Sequence, residues 1–229
     1  MRVSSTIKTE RVSGGSLKLF KQAIEMLQSA GSELNDETRQ EAIVLLLLAI
    51  SQAGVPFTQA HSLLAMLLYE LGDAEPAESH LAKALEHDPL DFRAQFLRVQ
   101  IAADELQGLK AQARTHKEDF AVGQWEFEAD MVFLAQMRFH EKVKRLIEVF
   151  HDLCGNGIRA VEFLYFARQL LTAAEFMQAH THSGFSRPPN VYAVIANAKV
   201  ENLIYDEDAT QEREAIDEVM SLARRLQQE

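Results

Sequence analysis

The stretch LLYELGDAEPAESHLAKALEHDP, Leu67 to Pro89, narrows what this chain can fold into more than any other. Gly72-Asp73 closes one run of apolar residues at helical spacing. Pro89 closes the next, because proline cannot continue a helical hydrogen-bond ladder. Between the two stops, Ala77 and Ala84 lie seven residues apart, two turns along one face. About 35 residues upstream, Ala42 and Ala49 repeat that spacing, and Gly54-Val55-Pro56 follows as a similar stop. Small residues two turns apart let another helix approach closely, so a recurring helical hairpin has a physical reason to keep them. One hairpin cannot bury its apolar face alone, so a chain of them must stack neighbours.

The rest of the chain fits that economy. Ten Gly and five Pro in 229 residues leave too little punctuation for a many-stranded protein, and Ala, Leu, Glu and Gln are good helix formers. Apolar periodicity begins at Leu17, Phe20, Ala23, Ile24 and Leu27. It predicts helices from Asp36 to Ala53, Thr58 to Gly72 and Glu75 to His87. Further helices are expected near 91–106, 109–121, 126–137, 140–153, 158–171 and 173–181. After the loop HSGFSRPPN, two more follow near 191–203 and 209–228. Short links between them make antiparallel neighbours. Residues 1–16, rich in Ser, Thr and Gly, read as a flexible basic N-terminal arm.

The formal charge of −11 argues against nucleic acid as a partner, since phosphate binding draws on a basic surface. It favours basic partners, whose encounter an acidic body accelerates. Cys154 is the single cysteine, which excludes an internal disulfide and suits a reducing cytoplasm. MRVSSTIKTERVSGG lacks the apolar core of a secretory signal, so a cytoplasmic location is expected. The most apolar run, AIVLLLLAI from Ala42 to Ile50, is far short of the ~20 residues of a membrane span. It reads as a buried helix, without membrane insertion.

Leu64, Ala65, Leu68, Gly72-Asp73, Ala77, Leu81, Ala84-Leu85 and Asp88-Pro89 together resemble a tetratricopeptide repeat. His61 and Ala74 stand where that family usually carries aromatics. The resemblance is closest at about 58–91 and spreads, through degenerate copies, over 17–153. Residues 154–229 are a helical extension by pattern alone. The resemblance implies an all-α fold: an α-solenoid of antiparallel helix hairpins, about five to six pairs, with a concave groove. It further implies an adaptor, scaffold or chaperone-like module that binds a protein or peptide partner and is not an enzyme. Gln59, Ser62, Met66 and Tyr69 of one unit would line the groove, with Arg93, Phe96, Leu97 and Gln100 of the next. The competing reading makes Met66, Phe96 and Leu97 core residues of a slightly rotated helix.

No catalytic motif stands out, no cofactor or metal is expected, and the glycines lack the spacing of phosphate-binding loops. Cys154 lies near a helix C-terminus, where the dipole disfavours a thiolate, so a packed, unreactive thiol is expected. His80 and His87 read as surface residues. Phe163, Tyr165 and Phe166 cannot share one helix face; they are the candidate self-association surface, with a homodimer as its product, or else ordinary core. Besides a self-assembling structural protein, the alternative to a binding module is an all-helical enzyme or a metal- or ligand-binding protein. Its pocket would lie around His180, His182 and Pro188-Pro189.

Overall fold

The computed structural model describes residues 12–31, 35–116, 122–180, 190–205 and 209–228. Among these, the regular structure is helical: α1 (Gly14–Ala30), α2 (Asp36–Ser51), α3 (Thr58–Glu70), α4 (Ala74–His87), α5 (Phe92–His116), α6 (Val122–Asn156), α7 (Ala160–His180), α8 (Val191–Ala196) and α9 (Thr210–Gln228). The helices pack chiefly on their neighbours in the chain, α1 on α2, α3 on α4, α5 on α6 and α8 on α9. No helix among the described residues is long and apolar enough to cross a membrane. The chain forms two compact units, Met1–Pro89 and Leu90–Glu229.

In the first unit, helix boundaries follow capping chemistry. The Ser13 hydroxyl accepts from the Ser16 N–H at 3.1 Å and donates to the Gln52 carbonyl at 3.0 Å, tying the start of α1 to the end of α2. Gly14 to Ser16, expected in the arm, are therefore the first turn of α1, with Ser16 buried. Residues 1–11 of that arm lie outside the described residues. Asn35 caps α2 by accepting from the Thr38 N–H at 2.8 Å. Ala42, Leu46 and Ala49 of α2 are buried, together with Ala53, Phe57, Ala60, Leu64 and Leu67. The helix expected to be buried is buried on that side only. Val44, Leu47 and Leu48 are 55%, 45% and 44% exposed, because α1 and α3 cover one flank of α2 and not the other.

The second unit departs further from expectation. Breaks expected near 107–108, 138–139 and 172 are absent, and six short helices become three long ones. No terminator stands at any of these points. Gly108 sits inside α5 with open space where a Cβ would go, Phe139 is buried in the core, and the Thr172 hydroxyl bonds to the Arg168 carbonyl within its own helix. The expectation of five to six hairpin pairs thus gives way to nine helices among the described residues. Phe139, Phe150 and Phe163 are almost fully buried in a core shared by α5, α6, α7, α8 and α9. The boundary expected after 153 falls inside α6, near its end. Gly157 then turns the chain at φ +81, with the Asn202 carbonyl oxygen 3.0 Å from where a Cβ would sit. That turn permits a single parallel bridge, in which the Ala160 N–H donates to Ile204 O at 2.8 Å and the Ile204 N–H to Ile158 O at 2.9 Å.

Candidate functional site

Helix α3 divides into two faces. Ala60, His61, Leu64, Ala65 and Leu67 are buried. Gln59 and Met66 are exposed, and Ser62 and Tyr69 are half-buried, so all four expected contact residues of this helix lie along one accessible line. The helix ends in a glycine-closed cap: the Gly72 N–H bonds to Tyr69 O and the Asp73 N–H to Leu68 O, both at 2.9 Å. Gly72 takes φ +89 there, which explains the Gly-Asp pair in the sequence. Arg39 of α2 fixes the far end of α3, reaching Glu70 and Asp36 at 3.1 Å each. Along the outer face of α1 runs an open groove of about 450 Å³, lined by Leu17, Lys18, Lys21, Gln22 and Glu25. One helix walls it, so it encloses nothing.

The other expected contact residues divide differently. Arg93 and Gln100 of α5 are exposed, whereas Phe96 and Leu97 are 8% and 6% exposed. The core reading is the one these two positions fit. Phe163 is fully buried, and Phe166 stacks on Phe92 at 4.1 Å between ring centroids. Only Tyr165 of that trio is exposed, at 44%. Its ring carries the Arg93 guanidinium 5.7 Å above its centroid, so residues expected at two different surfaces meet at one. Asp91 positions Arg93 by accepting from the N–H groups of Arg93 and Ala94, both at 3.1 Å.

Sequence reasoning placed His80 on the surface; instead it is half-buried against His61. Their Nδ1 atoms are 2.8 Å apart. Burial, then the charges of His80, Lys83 and His87, pull the His61 pKa down to about 4. Burial first and Lys83 second lower His80 as well. The signal for this pair was present. His80 lies three residues beyond Ala77 and four before Ala84, on the face that those buried alanines define.

In the second unit, Cys154 is buried, and burial pushes its thiol up to about 12, the inert thiol expected of it. Lys110 donates to the His180 carbonyl oxygen, and burial followed by the Lys110 charge lowers His140. Gln136, one turn before His140, keeps its amide nitrogen buried without a partner. His180 packs on Phe176 at 4.2 Å between centroids. His182, Pro188 and Pro189 lie outside the described residues. Among the described residues, no group of three or more His, Cys, Asp and Glu side chains is gathered in the manner of metal ligands. No family model, no curated protein and no solved structure matches the chain.

Proposed function

We propose that the chain is a tetratricopeptide-like interaction module that acts by binding, without bond chemistry. The outer face of α3 holds a peptide or helix of a protein partner. One observation carries this reading: Gln59, Ser62, Met66 and Tyr69 form a continuous accessible line on a helix whose opposite face is locked into a hairpin. Amide, hydroxyl, thioether and phenol along one line suit recognition of an amphipathic helix or extended segment, with apolar anchoring and polar registration. Buried alanines at the repeat spacing, Ala42, Ala49, Ala77 and Ala84, support stacking of hairpins in the manner of an α-solenoid, with an adaptor, scaffold or chaperone-like role. The charge of −11 selects basic partners, and a cytoplasmic setting accords with the single buried thiol.

The test is capture from native lysate, followed by affinity measurement on the recovered partner. Met66→Ala with Tyr69→Ala is expected to weaken binding by tenfold or more, about 1.4 kcal/mol. Raising the ionic strength is expected to weaken it further. A partner held equally well by the double variant, or with an affinity indifferent to salt, overturns the reading.

A further inference from the structure

The Nδ1 atoms of His61 and His80 are 2.8 Å apart across the α3–α4 interface, and the ring centroids are 5.1 Å apart. That centroid distance is the nitrogen gap plus one ring radius at each end, so the two imidazoles point at each other head-on. One hydrogen on the line between them satisfies the geometry, with one Nδ1–H donating and the other Nδ1 accepting. Two nitrogens holding one metal ion would aim their lone pairs at a point off that line. At the same nitrogen separation, their centroids would lie closer together. We propose that the pair is a proton-operated latch on the α3–α4 hairpin, closed while one hydrogen lies between the two Nδ1 atoms and opened when each nitrogen carries its own.

The proton count follows from the imidazole ring. In the neutral pair, the donor ring carries its hydrogen on Nδ1 and the acceptor ring carries its hydrogen on Nε2. A first added proton takes the free Nε2 of the donor ring and leaves the shared hydrogen in place. A second has only the accepting Nδ1 left. Two N–H groups then face each other, and the rings must part.

The surroundings resist both additions. Lys83 and His87 of α4 act on His61 together with His80, and Lys83 acts on His80. At both rings burial is the largest cause of the lowering, and neighbouring cations add to it. Helix α2 is the other helix of this unit packed on α3, and its Arg39 is held by Glu70, nine residues along α3 from His61. The unfolded chain, with histidines near 6.5, therefore binds more protons than the folded one between pH 6.5 and about 4. The latch's contribution to stability is complete above pH 6.5 and is lost as the pH falls toward 4. Because α3 also carries the proposed contact face, acid opening would release an occupant. That consequence rests on the proposed function; the latch does not.

The deciding experiment is imidazole ¹⁵N NMR of the full chain across pH, with unfolding equilibria measured over the same range. His61 is expected to titrate near pH 4, with scalar coupling between the two Nδ1 nuclei above it. Replacing the pair by His61→Phe and His80→Leu is expected to remove about one proton of uptake on unfolding at pH 5.5. That removes up to tenfold per pH unit from the unfolding constant. His61 titrating near 6.5, an unchanged slope in the double variant, or stoichiometric copper(II) or zinc(II) shifting both rings would overturn the proposal. Should the double variant not fold, the titration of the native chain decides alone. It reads the latch without reference to any partner.

Discussion

The α3–α4 hairpin and the α5–α6 hairpin fill the space between two packed helices in different ways. The first has helices of 13 and 14 residues, with Ala65, Ala77 and Ala84 fully buried. The second has helices of 25 and 35 residues, and its core is built on Phe92, Phe139 and Phe150. Alanine lets two helix axes approach, so a short hairpin closes on itself, and the His61–His80 contact falls where the axes are held together. Phenylalanine needs further helices to cover it. Helix α7 supplies Phe163 against Phe150 at 5.5 Å and Phe176 against Phe139 at 5.1 Å. Close packing on alanine therefore governs one hairpin, and a shared phenylalanine core governs the other.

The largest test of that contrast removes a ring from the shared core. Phe139→Ala takes a side chain that is 1% exposed out of contact with Phe176, and is expected to cost about 3–5 kcal/mol. Urea unfolding followed by circular dichroism measures it. A loss below 1 kcal/mol would mean that the α6–α7 contact is not a core contact. Next in size, Ala84→Leu forces a branched side chain into the close α3–α4 contact and is expected to destabilise by about 1–3 kcal/mol. The same unfolding measurement applies, and a neutral result would remove close approach as the reason for the alanine spacing. The smallest test sets two glycines against each other. Gly72→Ala is strained at φ +89 and is expected to lose about 1–2 kcal/mol. Gly108→Ala sits within α5 facing open space and is expected to gain about 0.5–1 kcal/mol. Shifts of equal sign would break the distinction between a terminator and an interior glycine.

Much of the first unit was legible before any coordinates. Gly72 acts through its own positive φ and the alanines through small side chains at a fixed helical spacing, so the pattern alone reveals them. Gln59, Ser62, Met66 and Tyr69 were expected together from the resemblance, and their spacing keeps them on one side of α3. Phe96 and Leu97 show the limit. Apolar residues on a predicted helix have the same period whether they line a surface or a core, and only the neighbouring elements decide. The exposed Val44, Leu47 and Leu48 show the converse, since an all-apolar helix looks buried until its neighbours are placed on one side.

The amino-acid sequence by itself determined the all-helical class and the stops at Gly72 and Pro89, because each depends on backbone chemistry within a few residues. Tertiary structure alone decided that the weak breaks in 91–181 would be spanned by three long helices around one phenylalanine core. It alone brought Arg93 over Tyr165 and set His61 against His80. Those pairings join residues on different helices, and the contacts exist only once the helices have packed.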